Sequence, residues 1–62
     1  MKVSELKRLL KKHGCYRIRY GANHDIWYSP LTGKSFPLPR HDSQEIPTGT
    51  LRSILRDAGI NK

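Results

Sequence analysis

Few side chains in this 62-residue chain can do chemistry: three histidines (His13, His24 and His41), one cysteine (Cys15) and five scattered acids. The acids show neither a paired-carboxylate nor a metal-ligand spacing. His13 and His24 lie near Cys15, yet no Cys/His zinc pattern forms. There is no Gly-rich phosphate loop and no nucleophile elbow. What remains is metal-free acid–base chemistry carried by His, Lys, Arg and Tyr. His24 is the best placed for it. It follows the turn formers of "GAN" and opens the β-prone run "HDIWYS", where a side chain is held firmly yet stays accessible. Position alone leaves two readings open, a turn residue or a reactive imidazole. His13 reads as a half-buried residue at a helix end, and His41 as a surface-loop histidine. Asp25 is disfavoured as a partner orienting His24, because adjacent strand residues point to opposite faces. Trp27 shares the face of Asp25 and reads as core packing rather than as a base-stacking platform.

The charge says what such a site would meet. Lys and Arg outnumber Asp and Glu by 12 to 5, a net +7. The excess is crowded at one end: residues 1–20 hold seven cations against one acid, a net +6. A basic pole of this kind suits a polyanion such as nucleic acid, or an acidic protein surface. Arg17 and Arg19 alternate with Tyr16 and Tyr20, a pattern that serves RNA binding or a solvated sheet face equally. No apolar run is long enough to span a membrane. A lone cysteine excludes an internal disulfide and fits a reducing cytoplasm. A chain this short buries only ~60% of its unfolded surface, so one domain with a thin core is expected.

The elements that position these residues are legible from periodicity. A first helix is predicted over about 4–13, with Ser4 as N-cap, Glu5 in the first turn, Leu6, Leu9, Leu10 and His13 on one stripe, and Gly14 as the αL stop. "CYRIRY" alternates strictly and predicts a half-buried strand over 15–20, with Tyr16, Ile18 and Tyr20 on one face. Gly21, Ala22 and Asn23 make the hairpin to a second strand over 24–29. Its two faces are His24/Ile26/Tyr28 and Asp25/Trp27/Ser29. Pro30 and Gly33 shape the next turn. A third strand over 34–38 buries Phe36 and Leu38, and Pro37 restricts it to an edge. A second helix over 48–58 carries Leu51, Ile54, Leu55 and Ala58 on one stripe, stopped by Gly59 with Ile60 folding back. The order α-β-β-β-α predicts an α+β domain, a three-stranded antiparallel sheet with both helices on one face.

Four stretches, "SELKRLLKKHGC", "GANH", "PRH" and "IPTGTLRSILRDAGI", lie in order and at spacings that resemble the HicA family, the toxin half of a bacterial and archaeal toxin–antitoxin system. The resemblance covers nearly the whole chain, and its most specific part is "GTLRSILRDAGI". It implies a fold like a double-stranded-RNA-binding domain. It also implies an mRNA interferase, a small endoribonuclease that cuts mRNA and arrests growth without a cofactor. The family's functional histidine falls on His24, with Gly21 and Asn23 matching its turn and Ala22 standing where the family often has Ser. A HicB-type antitoxin covering His24 and the basic surface is implied as partner, the toxin being monomeric alone and hetero-oligomeric with it. In the reaction so implied, His24 takes the proton of a ribose 2′-OH, and cations stabilise the phosphoryl oxygens. The group that protonates the leaving 5′ oxygen stays open among His24 itself, His41, Tyr20 and Tyr28. Lys7, Lys11, Arg17, Arg19, Arg40 and His41 are the candidates for RNA contact. A non-catalytic RNA-binding module and a dock for an acidic protein are the competing readings.

Overall fold

The computed structural model describes residues 1–60. Its elements are α1 (Val3–Lys12), β1 (Tyr16–Tyr20), β2 (His24–Ser29), β3 (Lys34–Pro39) and α2 (Thr48–Ala58). The strands form one antiparallel sheet in the order β1-β2-β3, as the sequence predicts. Val3, Leu6 and Leu10 of α1, Ile54 and Ala58 of α2, and Trp27, Phe36 and Leu38 of the sheet share one core, so both helices cover the same face. Leu6, Leu10 and Leu38 are completely buried. Each such side chain stabilises the fold by about 1.5–3 kcal/mol relative to an exposed one. The other face, with His24, Ile26 and Tyr28, stays open or half-open.

Both helices end in the same motif. In α2 the Ile60 amide donates to the Leu55 carbonyl and the Gly59 amide to Arg56, with Gly59 at φ 78°. In α1 the Cys15 amide donates to Leu10 and the Gly14 amide to Lys11, with Gly14 at φ 85°. These are the paired bonds of a Schellman stop, and each brings the next apolar residue, Ile60 or Cys15, into the core. Ser29 closes the α2 end further: its buried hydroxyl donates to the Ala58 carbonyl at 2.7 Å.

The start of α1 differs from expectation. Ser4 is not the N-cap; the cap is Lys2, and Ser4 lies inside the helix. The first-turn amides need acceptors, and here a distant backbone supplies them. Val3 donates to Gln44 O at 2.9 Å and Ser4 to Asp42 O at 3.1 Å. The Glu5 carboxylate accepts from the Lys2 amide at 2.9 Å. The connection after β3 and the Glu5 carboxylate together cap the helix.

Strand β1 departs most. It begins at Tyr16, because Cys15 closes α1, and all five of its residues are exposed rather than alternately buried. Tyr16, Ile18 and Tyr20 are 50%, 51% and 70% accessible. The ladder to β2 pairs Arg17 with Trp27 and Arg19 with Ile26, so Ile18 is an extra residue, a bulge. A bulge reverses the alternation beyond it. Arg17 and Tyr20 therefore share the helix-side face, and the expected Tyr16/Ile18/Tyr20 stripe does not exist.

Candidate functional site

His24 is the first residue of β2, exposed at the rim of the sheet, directly after the Gly21–Ala22–Asn23 turn. Gly21 is required there: a methyl group on its Cα would land on the carbonyl oxygen of His24. The turn is thus packed against the backbone of the histidine it presents. His24 pairs with Pro39, the last residue of β3, so the chain leaving β3 passes beside the imidazole. Ala22, Asn23 and His24, together with Pro39, Arg40, His41 and Gln44, line a cleft of about 330 Å³. Two histidines far apart in sequence thereby share one cavity, and both are exposed.

The clamp that holds this cleft was not legible in the sequence. Asp25, beside His24 but on the opposite face, is 1% accessible. Its Oδ1 accepts from Arg40 Nε at 3.2 Å and Nη2 at 3.0 Å, and its Oδ2 from Arg17 Nη1 at 3.4 Å. Arg40 Nη2 also donates to the Gly21 carbonyl. One buried carboxylate therefore ties β1, the hairpin and the segment after β3 into a single unit. Alternation disfavoured Asp25 as a direct partner of His24, and its carboxylate bonds Arg17 and Arg40 instead, fixing the backbone on both sides of the imidazole. The signal that would have found it is a carboxylate on the Trp27 face of a buried strand, which needs cations nearby.

The six candidate RNA-contacting residues separate into two groups. Arg40 and His41 line the His24 cleft. Lys7, Lys11, Arg17 and Arg19 line a second cavity of about 460 Å³ between α1 and the free edge of β1. Lys7 is partly committed: it holds Asp42 at 2.7 Å, and this hydrogen bond and its charge keep the Asp42 carboxyl below the usual carboxylate range. That ion pair joins α1 to the segment carrying His41. Arg17 stacks over the Tyr20 ring at 4.4 Å and donates to its hydroxyl at 2.8 Å. Tyr20 thus belongs to the second cavity and not to the His24 cleft. Tyr28, four residues along the strand from His24, lies ~13 Å away at about 3.3 Å per residue and packs on Tyr16 with ring centroids 5.7 Å apart. His13 is exposed rather than half-buried; its Nδ1 bonds the Leu9 carbonyl at 3.0 Å, as a helix-end residue does. Trp27 is core, as expected, at 2% accessible.

Among the described residues no three His, Cys, Asp or Glu side chains come together as metal ligands. No helix there is long and apolar enough to cross a membrane. The arrangement, then, is a shallow cleft with two imidazoles, a guanidinium at its wall and a cationic groove next to it. Such a set can exchange protons with, and neutralise, a bound phosphodiester.

Comparison with known proteins bears on the same residues. Residues 3–60 match the family model described as the HicA toxin of bacterial toxin–antitoxin. A curated protein of Photorhabdus laumondii subsp. laumondii, named probable mRNA interferase HicA 2, is 42% identical over 60 residues, covering 97% of this chain and 98% of that protein. No solved structure matches the chain at a significant level. The matched span holds both helices, the whole sheet and the two-histidine cleft, and on that footing the chain belongs to the HicA family of toxin–antitoxin toxins.

Proposed function

We propose that the chain is the toxin of a type II toxin–antitoxin pair, a metal-independent endoribonuclease that cleaves mRNA with His24 as its catalytic base. The observation that carries the reading is the cleft shared by His24 and His41, walled by Arg40. Membership of the family and the mRNA interferase name of the Photorhabdus relative support the substrate class.

Neutral His24 removes the proton of a ribose 2′-OH, and the freed oxygen attacks the adjacent phosphorus. The P–O5′ bond breaks, leaving a 2′,3′-cyclic phosphate on one fragment. His41, protonated, gives its proton to the departing 5′ oxygen. Of the acids open at the outset, His41 fits best, because Tyr20 faces the other cavity and Tyr28 lies too far along the strand. Arg40, whose side chain is 44% accessible, faces the phosphoryl oxygens as their charge grows. Acid–base assistance of this type supplies ~10² to 10⁴ in rate. A HicB-type antitoxin inhibits by covering the cleft and neutralising the basic surface.

The test compares wild type with His24→Ala on single-stranded RNA and on the same RNA with one 2′-deoxy nucleotide at the cut site. The expected result is cleavage of the all-ribose strand by wild type alone. Cleavage at the wild-type rate by His24→Ala removes His24 from the mechanism. Cleavage across the deoxy linkage removes 2′-OH attack. Salt-sensitive binding with no cleavage by either protein would make the chain an RNA-binding module.

A further inference from the structure

The groove between α1 and β1 has features that the cleavage chemistry leaves unused. Every residue of β1 lines it, with Lys7, Lys11, Cys15, Trp27 and Asp42. Its charge is lopsided: four Lys and Arg side chains face one carboxylate. Among the described residues Lys11 and Arg19 have no acidic partner. The indole N–H of Trp27 is buried without a hydrogen-bond partner, and no other buried side-chain donor or acceptor among the described residues is left so. An unmet buried donor costs about 1–3 kcal/mol until an acceptor reaches it. The bulge at Ile18 puts Tyr20 on the helix-side face, exposed along the groove.

We infer that this groove is a nucleotide subsite of the RNA substrate: an unstacked base enters between α1 and β1, a base acceptor takes the Trp27 N–H, and the attached phosphate sits on Lys11 and Arg19. The inference rests on the reading that the chain acts on RNA. A volume of about 460 Å³ falls within the ~300–1,000 Å³ range of small-ligand sites; it holds one nucleotide and not a duplex. Single-stranded RNA is recognised in this manner, by splayed bases set against aromatic rings and guanidinium planes. Tyr20 supplies the ring and Arg17 the plane. The groove also leads to the cut site. Tyr20 lines it and pairs with Asp25, the neighbour of His24. Asp42 lines it too, while Arg40, His41 and Gln44 of the same segment line the His24 cleft. A base bound here therefore belongs to a nucleotide close to the scissile bond, and the groove sets a preference there.

Trp27 is the sole tryptophan, so its indole N–H gives one resonance in a ¹⁵N-labelled full chain. The four ribonucleoside 5′-monophosphates are titrated in turn, with inorganic phosphate as the control. Nucleotides should move the indole resonance saturably and unequally, and phosphate should leave it still. Lys11→Ala and Arg19→Ala should each weaken binding by about 3- to 10-fold, the range of one ordinary hydrogen bond, because both side chains are exposed. Trp27→Phe, checked for folding by thermal unfolding, should level the differences among the four bases. A resonance that stays still at saturating nucleotide overturns the proposal. So does one that moves equally with phosphate, which marks an anion site only, and one that moves only when antitoxin is added, which marks a protein dock. These titrations do not depend on cleavage, so failure of the groove and failure of His24 are told apart.

Discussion

Removing Arg40 should harm this protein more than neutralising the carboxylate that Arg40 holds. Asp25 is almost fully buried, and its partners are partly wet, the side chains of Arg40 and Arg17 being 44% and 37% accessible. Arg40→Ala removes two of its three guanidinium bonds and leaves a buried anion with one contact at 3.4 Å. Breaking a buried pair by removing one partner costs about 3–5 kcal/mol; because Arg40 is itself solvated, the low end, ~3 kcal/mol, applies here. Asp25→Asn keeps the shape and an acceptor and releases two cations that water can reach, so ~1–2 kcal/mol is expected. Total stability for a domain of this size is roughly 3–9 kcal/mol, so both effects are large. The decisive quantity is the coupling. In the double variant the buried charge is gone before its partner is removed, and ~1–2 kcal/mol of the Arg40→Ala loss should be recovered. The Gly21 carbonyl bond of Arg40 is lost in both backgrounds and cancels. At ~4–8 °C per kcal/mol for a domain this small, the double variant should melt roughly 4–16 °C higher than additivity allows. Thermal unfolding followed by Trp27 fluorescence reads this directly. Additivity within about 0.5 kcal/mol would show that the Asp25 cluster is not a coupled clamp.

Other outcomes follow from single contacts. Gly21→Ala pushes a methyl group onto the His24 carbonyl; displacement of about 1 Å costs up to ~10²-fold in rate, so RNA cleavage should fall by 10- to 100-fold while circular dichroism stays native. Ser29→Ala removes the donor to Ala58 O and should lower stability by about 1 kcal/mol, or ~4–8 °C in Tm. Acid should loosen the link between α1 and the His41 segment. The Asp42 carboxyl titrates below its ordinary range because of Lys7, so the contribution is full above the unfolded value and lost as pH falls through the folded one, below about pH 4. The protection of the Ser4 amide, which donates to Asp42 O, relative to its intrinsic exchange rate should fall there, and Asp42→Asn should abolish that pH dependence.

Local rules served the sequence well where the structure is local. The α2 stripe, its Gly59 stop and the returning Ile60 follow from a 3.6-residue period and one positive φ. The faces of β2 and β3 follow from simple alternation. The failures share a cause, partners distant in sequence. Residues 42 and 44 cap α1, so Ser4 carried no usable signal. The Ile18 bulge answers to the β2 ladder, and "CYRIRY" by itself shows only perfect alternation. Of the candidate site, His24 and its turn were legible. The union of His24 with His41 was not, because it depends on Pro39 pairing opposite His24.

The two rims of the sheet are guarded by different means. On β3, Pro37 and Pro39 have no N–H to offer an incoming strand. On β1 the irregular ladder at Ile18 and the charges of Arg17 and Arg19 do the same work, since bulges and cations on an outer strand discourage edge-to-edge growth. So small a sheet, with one face partly bare, would otherwise invite stacking of copies into fibres. The same two arginines thus give the open edge a positive charge that opposes the approach of another copy of this basic chain.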